Sequence, residues 1–304
     1  MGTPEFAVGT LTALYEAGHK IVGVFTQPDK PKGRGYELMP PEVKVEAMRL
    51  GLDVYQPKTV KTPEALELIK GLDADVAVVV AYGKILPEAV LNAPKYGCIN
   101  VHASLLPKYH GAAPIQWAVI DGEKESGVTT MQMDAGLDTG DMLLQDKIEI
   151  GENMTAGELH DELAKMGASL AVRTLEELEK GTLKPKKQGE TTTHYASMLD
   201  KSLCAIDWSR PAQKIHDQIR GLSPWPVATA QLEGKVYKIH SSRLSERNVN
   251  GEAGTIDTDE NGMFVLCGDG KTIEIKTIQA PGGKKMNVVD YLRGHKIEKG
   301  SRFD

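Results

Sequence analysis

Over residues 1–150, short aliphatic runs alternate with helix signals, and this alternation constrains the fold of the 304-residue chain more than any other feature. Residues 21–25 read as a strand, and residues 75–81, nearly all Val and Ala, as a buried parallel one. Residues 53–55, 98–102 and 128–133 supply further strand signals. Helix starts fall between them. Thr3-Pro4-Glu5 reads as an N-cap followed by proline, opening a helix that runs to Gly18. Pro40-Pro41 opens a second that ends near Gly51, and Thr62 a third that ends at Gly71. Strands alternating with helices predict a doubly wound, Rossmann-like α/β domain. Thr155 then caps a long helix reaching Gly181, with Leu159, Leu163, Met166 and Leu170 at helical spacing.

One element is out of place. Gly2-Thr3-Pro4 has the character of the turn that follows a first strand, and that strand is normally central in such a sheet. The sequence therefore predicts that the first strand is missing, with Met1 inside the β–α turn and the start misassigned or trimmed.

The chain changes character near its middle. Lys184-Pro185-Lys186-Lys187 and the polar stretch after it read as a linker over 184–202, separating a domain at 1–183 from one at 203–304. In the latter, residues 227–232, 236–241, 254–257, 263–266 and 272–278 are short strand signals between turn residues. Several such strands with little helix predict a small β-barrel.

Charge narrows the partners. The formal net charge is −6, from 36 Lys and Arg against 42 Asp and Glu, which excludes coating nucleic acid by bulk charge alone. The balance is uneven: residues 1–202 hold 21 basic and 29 acidic groups, residues 203–304 hold 15 and 13. Any nucleic acid must be met by local patches. Candidates are Lys30, Lys32 and Arg34, with Gly33 and Gly35 flanking the arginine; Lys184, Lys186 and Lys187; and Lys284, Lys285, Arg293, Lys296 and Lys299. A single such run is also what a solvated surface looks like. Cys98, Cys204 and Cys267 lie far apart with no CxxC, which fits a reducing cytosol. The apolar run at 76–81 is far short of the ~20 residues a membrane span needs, and no signal peptide is visible, so a cytoplasmic protein is expected.

The chemistry is carried by residues 98–102. In a strand Ile99 and Val101 face one way, while Asn100 and His102 share the other face near the C-terminal end, where doubly wound sheets bind ligands. A neutral amide and an imidazole can together stabilise an oxyanion and move a proton. Alone, such a pair is more often simply a satisfied core pair. The apolar loop at 103–114, with Pro107 and Gly111, is suited to covering a flat heterocycle. The acidic loop at 133–141 lacks the spacing of a calcium loop, but an aspartate in it near His102 would orient the ring. Trp225, between Pro224 and Pro226, is a packing residue or a stacking one.

The run Asn100-x-His102-x-Ser104-Leu105-Leu106-Pro107, then Gly111-Ala112-Ala113-Pro114-Ile115, then Asp134-x-Gly136-x-Asp138-Thr139-Gly140-Asp141, resembles the formyltetrahydrofolate-dependent formyltransferases. Residues 2–7, the Gly33-Arg34-Gly35 loop and the tail are similar to the branch of that family acting on charged tRNA. The resemblance covers essentially the whole chain. It implies a Rossmann-like domain holding 10-formyltetrahydrofolate and a C-terminal OB-fold-like β-barrel that helps hold the charged initiator methionyl-tRNA. It implies a catalytic trio of Asn100, His102 and Asp138, folate contacts from Ser104, Leu105, Leu106 and Pro107, and tRNA contacts from Arg34 with Lys30 and Lys32. It implies no metal and a monomer. Position 110 departs from the pattern, carrying His where the family usually has Arg. Two other readings share parts of this pattern: a formyltransferase for a sugar-nucleotide or purine-precursor amine, and a non-catalytic RNA- or folate-binding module. A nicotinamide enzyme is disfavoured because no G-x-G-x-x-G follows a strand.

Overall fold

The structure is a computed structural model that describes residues 1–32 and 37–304; the side chain of Lys32 also lies outside the described residues. In chain order the elements are α1 (Val8–Glu16), β1 (Val24–Phe25), β2 (Lys30–Lys32), β3 (Glu37–Met39), α2 (Glu42–Arg49), β4 (Val54–Tyr55), α3 (Pro63–Gly71), β5 (Ala77–Val79), α4 (Glu88–Leu91), β6 (Cys98–His102), α5 (Pro114–Asp121), β7 (Glu125–Gln132), β8 (Met142–Glu149) and α6 (Ala156–Glu179). There follow α7 (Ala212–Gly221), β9 (Ala228–Leu232), β10 (Lys235–Ser245), β11 (Ile256–Asp259), β12 (Gly262–Leu266), β13 (Thr272–Gln279), β14 (Met286–Asn287) and α8 (Val288–Gly294). Two compact units emerge: residues 1–111, 126–148 and 160–195 form one, and residues 112–125, 149–159 and 196–304 the other.

The first unit is the expected α/β fold. β1 pairs in parallel with β4, and β5 in parallel with β6. β7 runs antiparallel to β6, and β8 lies at its far side, so the sheet is mixed. The helix signals correspond to real caps. Thr62 Oγ1 accepts from Ala65 N at 3.3 Å. Thr155 and Glu158 bond reciprocally, Glu158 N to Thr155 Oγ1 at 3.2 Å and Thr155 N to Glu158 Oε2 at 2.8 Å. Along α6, Leu163 and Leu170 are fully buried. Gly167 lets this helix close on the sheet: a Cβ there would stand 3.0 Å from Val101 Cγ1. Thr3 departs from its expected role. Pro4 precedes the short 3₁₀ turn Glu5–Ala7 that leads into α1, and the Thr3 hydroxyl instead donates to Tyr82 O at 3.0 Å and accepts from Gln27 N at 3.3 Å.

The place of a further strand is visible between β1 and β5. Met1 and Gly2 occupy one end of the gap. Met1 N donates to Val78 O at 2.7 Å, Val80 N to Met1 O at 2.9 Å, and Gly2 N to Phe25 O at 2.9 Å. Gly2 and Val80 form a parallel bridge. Beyond them lies a cavity of about 690 Å³ whose walls include Ile21, Val22 and Gly23 on one side and Asp75, Val76 and Ala77 on the other. This explains why two strands are shorter than the sequence suggests. Residues 21–23 and 75–76 have strand character but no ladder partner, so only Val24–Phe25 and Ala77–Val79 qualify.

The second unit holds a six-stranded sheet in the order β11-β12-β13-β10-β9, with β14 on β13, and the strand pairings among the described residues are antiparallel. Ile239, Ile273, Ile275 and Ile278 are fully buried, as are Ile215 and Ile219 of α7 in the same core. The helices α5, α7 and α8 were not legible as such. In α7 the polar residues His216, Asp217 and Arg220 are buried along with the apolar ones. Asp217 Oδ1 lies 2.7 Å from Arg220 Nη2, and His216 bonds Ser242 Oγ and Glu152 O, both at 2.9 Å. Trp225 is 61% exposed and therefore not a packing residue.

Candidate active site

β6 presents the strand end that the sequence singles out. Val79 stands opposite Asn100 on β5, and Met131 and Thr129 of β7 stand opposite Asn100 and His102. Ile99 and Val101 are buried, Asn100 is half-buried, and its side-chain amide makes no hydrogen bond among the described residues. His102 is 6% exposed. Its Nε2 lies 3.0 Å from Tyr109 O. A carbonyl oxygen only accepts, so Nε2 carries the hydrogen and Nδ1 is the bare nitrogen of the neutral ring. Nδ1 is 3.7 Å from Asp138 Oδ1, close enough for an ion pair and too long for a hydrogen bond. A proton added to this ring goes on the side facing the carboxylate.

Asp138 is held for that position by its own loop. Its φ of +58° lies in the left-handed region, which Asp tolerates better than most residues. Its Oδ2 accepts from Gly111 N at 2.9 Å, leaving Oδ1 towards His102. The loop closes tightly on β7: a Cβ at Gly140 would lie 1.7 Å from Gln132 O, so only glycine fits. Asp134 is occupied inside the loop, its Oδ1 accepting from Gly136 N at 3.0 Å and Thr139 Oγ1 at 2.8 Å.

The segment 104–107 is braced from behind. Thr129 Oγ1 donates to Ser104 O at 2.7 Å and accepts from Leu106 N at 3.1 Å. Gln145 Nε2 donates to Leu106 O at 2.9 Å. Leu106 packs with Met131 and Met142, whereas Leu105 and Pro107 are part-exposed. A rigid backbone with its polar groups already bonded, presenting Leu105 and Pro107, fits one face of a flat heteroaromatic ring.

Several supporting residues carry no sequence signal of their own. Gln188 Nε2 donates to Asp138 O and Gly140 O, both at 2.7 Å, and its Oε1 meets His110 Nε2 at 2.9 Å. Thr193 Oγ1 accepts from Tyr109 N at 2.8 Å. Both lie in the stretch read as a linker. The structure thus brings Asn100, His102, Asp138 and residues 104–107 together in the first unit. Lys30 donates to Gln27 Oε1 at 2.7 Å, at the base of the β2–β3 hairpin. Arg34 and the Lys32 side chain lie outside the described residues. No group of three or more His, Cys, Asp or Glu suited to a metal occurs among the described residues. The three cysteines are buried and free, and burial pushes the Cys98 thiol up to about 11 and Cys267 to about 12.

An amide, an imidazole and a carboxylate gathered at the end of β6 have the chemistry to stabilise an oxyanion and move a proton. The chain belongs to the formyl transferase family: the family's model matches residues 1–175, and the model for the formyl transferase C-terminal domain matches residues 198–296. Among curated relatives, the methionyl-tRNA formyltransferase of Clostridium novyi is 52% identical over 300 residues, covering 98% of this chain and 96% of that protein. The methionyl-tRNA formyltransferase of Citrifermentans bemidjiense is 49% identical over 301 residues, covering 99% and 94%. Among solved structures, the Helicobacter canadensis N-formyltransferase in complex with folinic acid and dTDP-3-aminofucose superposes with a TM-score of 0.68 at 20% identity, over 90% of this chain and 96% of that one. At that identity the likeness is one of fold.

Proposed function

We propose that this enzyme transfers the formyl group of 10-formyltetrahydrofolate to the α-amine of charged initiator methionyl-tRNA, as a monomer in the cytoplasm. The observation that carries the reading is the near full-length identity of about half to methionyl-tRNA formyltransferases, joined to the His102–Asp138 geometry. The sugar-directed formyltransferases resemble the chain in fold at 20–21% identity, so a sugar-nucleotide amine is the weaker alternative. No helix among the described residues is long and apolar enough to cross a membrane.

The acceptor needs little activation. A free α-amine has a pKa of about 7.7–8.0, and esterification of the neighbouring carboxylate lowers it by removing a negative charge. Much of it is therefore neutral near pH 7. The barrier lies in the negative charge that grows on the formyl oxygen as the amine attacks. Asn100 has an amide free to donate to that oxygen. His102 is the group for proton traffic: Nε2 is held by Tyr109 O, so Nδ1 takes up the amine's proton or returns one to the departing nitrogen. Asp138, itself oriented by Gly111 N, stabilises the ring when that proton arrives, and the Nε2–Tyr109 O bond fixes the ring's orientation. The folate supplies the formyl carbon, with Leu105 and Pro107 against its ring.

The test is formyl transfer to purified methionyl-tRNA. His102→Ala and Asn100→Ala should each lower turnover at least about a hundredfold, the scale for one oxyanion donor or acid–base group. Near-normal turnover by His102→Ala defeats the mechanism. A wild-type chain that leaves methionyl-tRNA unformylated but modifies a sugar-nucleotide amine defeats the assignment.

A further inference from the structure

Residues 186–188 lie along the edge of the first unit's sheet. Met142, at the start of β8, exchanges both backbone hydrogen bonds with Lys186: Met142 N donates to Lys186 O and Lys186 N to Met142 O, each at 2.8 Å. The two residues form an antiparallel bridge. In an antiparallel pair, a step forward on one chain is a step back on the other. Lys187 is therefore level with Asp141, whose carboxylate lies 3.0 Å from its ammonium, and Gln188 is level with Gly140. Register thus delivers the Gln188 side chain onto the loop that carries Asp138.

The Gln188 amide has one orientation there. Nε2 has two hydrogens, and both are used, on Asp138 O and Gly140 O at 2.7 Å each. Turning the amide over would set Oε1 against two carbonyl oxygens, which only accept. Oε1 therefore faces His110, and the 2.9 Å bond between them is donated by His110 Nε2. The next residue, Gly111, donates its N–H to Asp138 Oδ2 at 2.9 Å. Asp138 is held twice: its carboxylate by Gly111, and its backbone by Gln188. His110 joins the two holds.

The rest of the loop offers Asp138 little support. Residues 134–137 and 139 are exposed, whereas Asp138 is half-buried and Gly140 is buried. Asp134 braces only the tip, through Gly136 and Thr139. The left-handed φ of +58° at Asp138 is a conformation that its surroundings must hold. The bonds to Asp138 O and Gly140 O bracket that turn, and without them its backbone is free to relax. The carboxylate then loses its place 3.7 Å from His102 Nδ1.

We infer that Gln188 is a positioning residue for formyl transfer. It acts through Asp138: by fixing the backbone at 138 and 140 it keeps the carboxylate on the Nδ1 side of His102, and the His110 N–H keeps the Gln188 amide turned for that task. This rests on the formyl-transfer reading above and adds a residue that works on the carboxylate rather than on the substrate.

The experiment measures steady-state formylation of methionyl-tRNA by the wild type, Gln188→Met, Asp138→Asn and the double variant, together with His110→Phe and His110→Arg. Methionine keeps the length of glutamine and removes its donors and acceptor. Gln188→Met should lower kcat about ten- to a hundredfold, the scale of moving a catalytic group by about 1 Å, with the KM for folate and for tRNA within about twofold. In the Asp138→Asn background the same change should cost less than about threefold, because the group it positions has already lost its charge. His110→Phe should lower kcat, and His110→Arg, which keeps an N–H donor, should restore it. A crystal structure of Gln188→Met should show Asp138 Oδ1 moved from its place beside His102 Nδ1. Where Gln188→Met fails to fold, Gln188→Glu serves: it keeps the size and the acceptor for His110 but sets a carboxylate against two carbonyls, and the same loss of kcat is expected. Near-normal kcat, a loss confined to KM, a full loss that multiplies with Asp138→Asn, or an unmoved carboxylate each overturn the inference. Equal kcat in the two His110 variants overturns the part assigned to His110. Failure of the functional reading looks different: the wild type would not formylate methionyl-tRNA at all, while the place of the carboxylate in the variant would still report on Gln188.

Discussion

The gap between β1 and β5 makes a quantitative prediction about the 304-residue polypeptide. The Met1 ammonium lies inside that gap, bonded to Val78 O, and burial lowers its pKa from the ordinary 8.0 to about 6. The folded chain therefore holds a neutral amine where the unfolded chain holds a charged one. Between those two values the unfolded state binds the extra proton, so this group's contribution to stability rises with pH. Above pH 8 it costs nothing. Below pH 6 the full penalty applies: two units at 1.36 kcal/mol each, about 3 kcal/mol, with about half of it present at pH 7. Placing five β-branched residues before Met1 converts the amine into an ordinary ladder amide and fills the cavity. The filling itself is harder to value. Each Val or Ile contributes ~1.5–3 kcal/mol on burial, offset by ~1–2 kcal/mol per residue of lost backbone freedom. The pH-dependent part is the cleaner readout. Urea unfolding of both forms, followed by far-UV circular dichroism at pH 5.5, 7 and 9, should show the extended form more stable throughout. Its advantage should be larger at pH 5.5 than at pH 9 by about 3 kcal/mol on the same linkage argument. Stability curves that run parallel across this range would refute the account of the buried amine. Equal stability at every pH would show that the gap needs no strand.

Three other expectations follow from particular contacts. Asp138→Asn keeps the size of the side chain but removes its charge from beside His102, so kcat should fall at least about a hundredfold while the KM for folate holds, measured by steady-state formylation. Arg34→Ala should raise the KM for tRNA, leave folate binding intact and flatten the salt dependence, as expected for a lost phosphate contact; an unchanged tRNA KM at low and high salt defeats it. Asp217→Ala strands the buried Arg220 guanidinium and should cost about 3–5 kcal/mol in urea unfolding, whereas the removal of an exposed partner such as Glu67 should fall within about 1 kcal/mol.

What the sequence shows, and what it hides, follows from how each feature is encoded. The Rossmann-like order is legible because buried strands and capped helices leave local marks: Thr62 and Thr155 each cap the helix they precede. Asn100 and His102 are legible because a strand's alternation puts them on one face whatever surrounds them. Gln188 and Thr193 are not, because a glutamine or threonine in a polar stretch has no local mark, and their roles arise from contacts across 50 and 84 residues of chain. The burial of polar residues on α7 is of this kind: Ile215 and Ile219 repeat at helical spacing, while His216 is held by Ser242 and Glu152, 26 and 64 residues away. The fate of the C-terminal cations is of this kind too. Lys299 and Lys285 look alike in sequence, yet one is neutralised by Asp257 and the other stands on an open face.

The candidate site gathers its polarity with an evident bias. Around β6 nearly every backbone group that a substrate might otherwise meet is already bonded: Ser104 O and Leu106 N to Thr129, Leu106 O to Gln145, Tyr109 N to Thr193, and Gly111 N to Asp138. Such bonds fix the walls without offering donors of their own. Two groups stand outside this scheme, the Asn100 amide and His102 Nδ1, and both belong to the same strand face two residues apart, about 7 Å along the strand. A reaction that needs one donor for a developing oxyanion and one mobile proton has those two needs met here, with rigid neighbours that do not have to reorganise as charge develops. The Asp138 carboxylate lies on the Nδ1 side of the ring, 3.7 Å away and beyond hydrogen-bond reach. In the mechanism proposed above, that distance lets the carboxylate support a charged ring without a hydrogen bond to it, in a site where His102 is almost wholly enclosed.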